Sequence, residues 1–348
     1  MKSVDELVKI AFNYNASDIH FICGLPIKYR VDGELENMDE NILYKEDCIY
    51  YAKELCQDSY KELNEVGEVD LSNTFAGIRC RIHVFKQQGI PSIALRLLHE
   101  YIPDLNTLGL PPAVMDLPNL HKGIVLVTGE TGSGKSTTLA ALLDYINHHK
   151  KAHIVTLEDP IEYIYQPDLC AINQREVGKD TLSFANGLRA SLREDPDVIL
   201  IGEMRDRETI ETAITAAETG HLVFGTLHTG SASDSIDRMV QVFPEGMQNQ
   251  IRLQLSMVLE AVITQQLIKK KTGGRILAAE FMIVTDAIRN MIRSGNTPQI
   301  ANAIATSAAI GGQTMDQALV KLIRSNQISK DVALSYAKDK NYVKKNTF

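Results

Sequence analysis

The sequence contains no tryptophan, and aromatic residues make up only 6% of its 348 positions. It therefore lacks the interleaved aromatic and basic patches on which bases stack in a helicase-like channel. Positive charge is also short. Thirty-six Lys and Arg face 44 Asp and Glu, a net charge of −8, so no general field draws in nucleic acid. A local basic pocket for phosphates remains compatible with that balance. Only five cysteines occur, Cys23, Cys48, Cys56, Cys80 and Cys170, with no CxxC pair. That spacing argues against a zinc site built on paired cysteines and suits a reducing cytoplasm. The longest purely apolar stretches run to about five residues, against roughly 20 needed to span a bilayer. The opening MKSVDELVKIAFNYNASD lacks the apolar core of a signal peptide. The expectation is a cytoplasmic protein that meets a membrane only through partner proteins.

What is present is the composition of a folded chain: 44% hydrophobic and 23% charged residues, at a length that suggests about two domains. Val4, Leu7, Val8 and Ala11 fall at helical spacing. The stretch HFICGLPIKYRVDGELENM then alternates and carries Asp32-Gly33, a hairpin turn signal. VDLSNTFAGIRCRIHVFKQQGIPSIALRLL reads as three further strands, so residues 1–100 are expected to form a small α+β domain. Residues 101–122 hold four prolines and little strand pattern, and read as a linker. From 123 to 348 the pattern changes. GIVLVTG, AHIVTLEDP, DVILIGEM, HLVFGTLHT and ILAAEFMIV are short apolar runs, mostly separated by helical segments. Such alternation predicts an α/β domain with a parallel sheet covered on both faces, followed beyond 285 by helices.

Gly129-Glu-Thr131-Gly132-Ser133-Gly134-Lys135-Ser136 fills every fixed position of a Walker A loop, with Thr137 following. It comes after the strand run Ile124–Thr128 and before the helical TTLAALLDYI, which is the context this motif requires. Its glycines let backbone N–H groups close around phosphate oxygens at a helix N-terminus. Lys135 is expected to reach the β- and γ-phosphates of ATP and the Ser136 hydroxyl to take Mg²⁺. Asp197-Val-Ile-Leu-Ile-Gly-Glu203 is a buried strand ending in an acid, the place of a Walker B carboxylate beside the P-loop. Glu203 there would hold Mg²⁺ through water or orient the attacking water; otherwise it is one of several solvent-facing acids in GEMRDRE. A second acidic cluster, Glu158-Asp-Pro-Ile-Glu162, follows the strand HIVTL. It reads equally as the carboxylate that activates water and as a helix N-terminus with proline at its first position. His221 and His228 bracket LVFGTL, about 23 Å apart along an unbroken strand, too far to share a metal. His228 is placed to sense a γ-phosphate, or is a satisfied structural histidine. Arg79, Arg81 and Arg96 are ordinary surface arginines or are delivered to a nucleotide.

Together GETGSGKST, TLEDPIEY, NQREVG, RASLREDPDVILIGEMRD and TAAETGHLVFGTLHT closely resemble the ATPases of type II secretion and type IV pili. The resemblance covers nearly the whole chain, with NASDIHFICGLPIKYRVDGEL similar to that family's PAS-like N-terminal domain. It implies a RecA-like P-loop ATPase core working as a homo-hexamer. It also implies that Glu162 or Glu158 is the catalytic carboxylate, that Glu203 serves Mg²⁺ and that His228 senses the nucleotide. Arg79, Arg81 and Arg96 match family arginines that approach the phosphates. Within the family the sequence is nearest the PilT-type retraction branch. It has no long N-terminal extension and no tetracysteine loop, and Ala287-Ile-Arg-Asn-Met-Ile-Arg293 resembles the AIRNLIRE signature, with Met291 for Leu and Ser294 for Glu. The implied function is pilus retraction and twitching motility, acting on an inner-membrane PilC-type platform protein from the cytoplasmic face. Assembly or secretion in the opposite direction, and a non-hydrolysing nucleotide-binding regulator, are the competing readings.

Overall fold

The computed structural model describes residues 2–31, 33–98 and 101–347. Two compact units emerge: Met1–Tyr101 with Glu162–Ile164, and Ile102–Ile161 with Tyr165–Phe348.

The first unit is built from α1 (Val4–Asn13), β1 (Asp18–Phe21), β2 (Pro26–Val31), β3 (Glu34–Ile42), α2 (Lys45–Cys56), α3 (Tyr60–Val66), β4 (Glu68–Phe75), β5 (Ile78–Gln87) and β6 (Ile90–Leu97). Its sheet has the order β3-β2-β1-β6-β5-β4, and every neighbouring pair is antiparallel. A capping box starts α1. Ser3 Oγ accepts from the N–H of Glu6, and Glu6 returns a carboxylate to the N–H of Ser3. The expected stripe Val4, Leu7, Val8 and Ala11 is fully buried. In β5, Ile78, Cys80, Ile82 and Val84 are buried, with Arg79, Arg81 and His83 between them. That is the period-2 pattern of a sheet with one covered face. Val31 stands opposite Glu34, so two residues connect β2 and β3. Of the turn signal Asp32-Gly33, Asp32 lies outside the described residues, and Gly33 has φ 91°. The outermost strand β3 carries Glu34, Glu36, Asp39 and Glu40; charge on an edge strand discourages pairing with other chains.

The second unit begins with two 3₁₀ segments, Leu105–Thr107 and Pro112–Asn119, the latter burying Val114 and Leu117. Then follow β7 (Gly123–Thr128), α4 (Lys135–His149), β8 (His153–Glu158), β9 (Ala171–Glu176), α5 (Phe184–Ser191), β10 (Val198–Ile201), α6 (Arg207–Glu218), β11 (Leu222–Leu227), α7 (Ala232–Gln241), α8 (Glu245–Val258), β12 (Leu259–Lys269) and β13 (Arg275–Ile283). The chain finishes with α9 (Asp286–Ser294), α10 (Ile300–Ala305), α11 (Met315–Arg324), α12 (Lys330–Tyr336) and α13 (Lys340–Asn346). The sheet order is β13-β12-β7-β11-β10-β8-β9. All residues of β7, β10 and β11 are buried, as a sheet covered on both faces requires. The α/β class and the P-loop core expected from the sequence are those observed.

Three local expectations are corrected. The ILAAEFMIV run is β13, paired antiparallel to β12 rather than joining the parallel set. A short turn at Gly273 and Gly274 joins the two strands, and a hairpin forces antiparallel pairing. β10 is not the neighbour of the P-loop strand, because β11 lies between them. Finally, no helix follows Asp159-Pro160, so the acidic cluster is not a helix start; residues 161–167 are irregular.

Candidate nucleotide site

Parallel strands leave their carboxyl ends at one edge of a sheet, and the loops that emerge there share a crevice. β7, β11, β10 and β8 deliver the Walker A loop, His228, Glu203 and Glu158 to that edge. β7 passes into the loop at Gly129, whose φ is 143°. A Cβ there would collide with the Gln265 carbonyl and stand 2.6 Å from Ser133 Oγ. Gly134, at φ 92°, is the left-handed residue that starts α4. The first turn of α4 holds no acidic side chain, so its N–H groups and positive dipole end are left for an anion. Thr131 and Gly132 are exposed at the loop tip, Ser133 and Lys135 are buried, and Ser136 and Thr137 are half-buried. The Lys135 ammonium donates to the carbonyls of Gly129, at 2.8 Å, and Glu130, at 3.0 Å.

Glu203 follows β10 and is 19% exposed at its side chain. Its Oε1 is 3.0 Å from His228 Nε2 and also pairs with Arg205. Burial pushes the His228 imidazole below its ordinary value. The charges of Lys135 and Arg205 act in the same direction, while Glu203 opposes them. An ionised carboxylate can only accept, so His228 donates Nε2–H to Glu203. Thus Lys135, Glu203 and His228, read from three separate motifs, are brought together.

Glu158 ends β8 and is buried. It accepts a 2.6 Å hydrogen bond from Thr156 Oγ1 and a longer one, 3.4 Å, from Gln174 Nε2 of β9. Gly202 lies against it: a Cβ on Gly202 would meet Glu158 Cα at 3.3 Å. Glu162 lies in the short segment that groups with the first unit and is half-buried. Its flanks are tied, with the Ile161 N–H bonded to Glu176 and the Tyr165 N–H to Gln174.

Arg79, Arg81 and Arg96 share one face of the first unit's sheet, with Arg81 directly opposite Arg96. Arg96 Nε donates to Asp18 at 2.9 Å, and Arg79 reaches Ser72 Oγ at 3.4 Å. Burial raises the Asp18 carboxyl, but hydrogen bonds from Ser17 and Arg96, and the Arg96 charge, outweigh it and hold Asp18 below its ordinary value. The signature helix α9 packs on α8. Its Arg289 donates from Nη1 to the carbonyls of Ser256, Met257 and Leu259 and from Nη2 to both carboxylate oxygens of Glu260. It thereby closes the C-terminal end of α8.

Sequence reading assigned no role to Thr156, Gln174 or Arg205, nor to Gln265 of β12. Thr156, Gln174 and Arg205 stand within quoted motifs, yet only the strand geometry around Glu158, the pairing of β8 with β9 and the return of Arg205 show what they hold. The signal for β12 was two adjacent glutamines inside an apolar run, VITQQLI.

The family model for type II/IV secretion system proteins matches residues 1–274. The chain belongs to that family. It is 45% identical over 96% of its length to the type IV pilus retraction ATPase PilT of Pseudomonas aeruginosa, 98% of which is covered. It is 44% identical to a twitching motility protein of Neisseria gonorrhoeae, over 87% of this chain and 82% of that protein. Its structure superposes on the crystal structure of the pilus retraction motor PilT with bound ADP at a TM-score of 0.91. That match has 44% identity and covers 99% of this chain and 100% of the other. Among the described residues, no helix is long and apolar enough to cross a membrane.

Proposed function

We propose that this protein is an ATP-hydrolysing motor that powers retraction of type IV pili. The observation that carries the reading is the end-to-end likeness to a pilus retraction motor in sequence and fold, with all Walker A positions filled. In this reading it works as a homo-hexamer at the inner face of the cytoplasmic membrane, against a PilC-type platform protein. Its working parts are residues 1–100, a linker at 101–122 and the ATPase domain 123–348.

The site suits Mg·ATP on its own chemistry. A hydroxyl at the second position of α4, Ser136, and a carboxylate at a strand end, Glu203, are the hard oxygen donors that Mg²⁺ takes beside substrate phosphates. Mg²⁺ supplies charge neutralisation at the phosphate oxygens. The Walker A amides of Gly129, Thr131, Gly132, Ser133, Gly134, Lys135, Ser136 and Thr137 cradle the phosphates. Lys135 exchanges its loop carbonyls for phosphate oxygens. Glu162 takes the proton of the attacking water, with Glu158 the alternative. Glu158 is the more buried of the two, yet Thr156 and Gln174 already occupy its Oε1, which favours Glu162 for proton transfer. His228 reads the γ-phosphate through its bond to Glu203, and Arg79, Arg81 and Arg96 add positive charge.

Deleting the gene in its host and scoring pilus length tests direction. Hyperpiliation is the expected result, and loss of pili would indicate assembly instead. Mg·ATP hydrolysis by the purified hexamer separates a motor from a silent regulator.

A further inference from the structure

β12 runs parallel beside the P-loop strand β7, and its residues touch the phosphate site at several points. Thr264 Oγ1 is bonded to Thr128 Oγ1 at 2.9 Å. The Gln265 carbonyl underlies Gly129, and Leu267 lies 3.8 Å from the Cβ position of Gly134. Gln265 itself is fully buried. Its Nε2 donates to Thr138 Oγ1 at 2.7 Å, and Thr138 sits in the first turn of α4, three residues after Lys135. Gln265 Oε1 has no hydrogen-bond partner, and neither does the buried Ser133 Oγ of the loop above.

A buried amide that uses only its donor side carries the cost of a desolvated acceptor. Methionine has a similar length and would fill the same space without that cost. Glutamine is therefore a poor choice for packing alone. What it adds is direction: a single hydrogen bond that fixes where the first turn of α4 stands on the neighbouring strand. Lys135 and Ser136 share that turn, and a displacement of about 1 Å in a positioned group can cost about 100-fold in rate.

We propose that Gln265 is a positioning residue of the phosphate site, holding Thr138 so that Lys135 and Ser136 meet the phosphates in register. The inference rests on the nucleotide-hydrolysing reading above. Its test is nucleotide affinity, measured with a fluorescent ADP analogue, together with kcat, KM for ATP and Tm. The wild type is compared with Gln265→Met, Thr138→Val and the double variant. Each single variant is expected to bind at least fivefold more weakly and to lose kcat while Tm stays within a few degrees. The double variant should be no worse than the weaker single, because both remove one hydrogen bond. Thr138→Val removes only the hydroxyl partner and carries the test if Gln265→Met folds poorly. Affinity within fivefold of wild type in the folded single variants would overturn the proposal, whatever Tm does. So would losses that multiply fully in the double variant. A wild-type chain that binds ADP but does not hydrolyse ATP would remove the motor reading and leave the affinity comparison decisive for Gln265.

Discussion

In the first unit the strand Ile78–Gln87 buries every second residue from Ile78 to Val84; in the second, Gly123–Thr128, Val198–Ile201 and Leu222–Leu227 bury all of theirs. The two sheets consequently present chemistry in different places. An antiparallel sheet with one free face displays side chains across that face, as Arg79, Arg81 and Arg96 are displayed. A parallel sheet buried on both sides has no free face, so its polar groups collect where strands end. Lys135, Glu158, Glu203 and His228 all follow that rule. Groups at strand ends are held by neighbouring strands and loops, whereas groups on an open face are held by their cross-strand partners. The first arrangement suits fixed geometry around a reacting phosphate. The second suits charge offered at a surface.

Among the strand-end groups, Lys135 is expected to matter most. Lys135→Ala is expected to lower ATP hydrolysis by about 10³-fold or more with the fold intact, since the lysine donates to two carbonyls of its own loop, Gly129 and Glu130. Turnover against circular dichroism and Tm checks this, and near-normal turnover in a folded variant would refute the P-loop assignment. Next come the carboxylates. Glu162→Gln and Glu203→Gln should each reduce kcat by about 10²–10³-fold while ADP affinity changes little, because glutamine keeps the shape and loses only charge and basicity. Should Glu158→Gln collapse turnover while Glu162→Gln spares it, the two carboxylates exchange roles.

Groups on the open face should matter less. Arg79→Ala and Arg96→Ala are expected to reduce hydrolysis by about 10–10²-fold, below the full value of an arginine finger, while the Walker A loop still binds ADP. Steady-state kinetics with an ADP titration measures both; unchanged kcat in both variants would leave these arginines as surface groups. Arg96→Ala also strips Asp18 of its main cationic partner. A carboxyl held below 3.8 when folded stabilises above that value and loses the effect as pH falls through its folded value. The variant should therefore show a smaller acid-induced loss of Tm below about pH 4 than the wild type.

The smallest effects concern stability alone. Leu126→Ala, in a strand covered on both sides, should cost about 2–5 kcal/mol. Leu35→Ala, 47% exposed on the edge strand, should fall within about 0.5 kcal/mol of neutral. Urea denaturation of the two variants tests whether a side chain covered on both faces and one left open on an edge strand differ as their burial indicates.

The class of fold and the phosphate loop were legible in the amino-acid order alone. Continuous apolar runs between helical segments specify a buried parallel sheet, and a complete Walker A string carries its own strand-to-helix geometry in its glycines and lysine. The stripe of α1 and the three strands after Val69 were equally legible, because their periodicity is local. Strand order was not legible. That β11 separates β10 from β7, and that β13 turns back antiparallel, follows from which edges pair, and pairing depends on packing between residues far apart in the chain. For the same reason, what holds each functional group emerges only once the chain has packed. Arg205 and His228 meet on Glu203, Thr156 and Gln174 fix Glu158, Arg289 closes α8, and Gln265 reaches Thr138 across 127 residues of sequence. A hydrogen bond of that span leaves no periodicity behind, only a polar residue in an apolar run, and its partner is chosen by the fold.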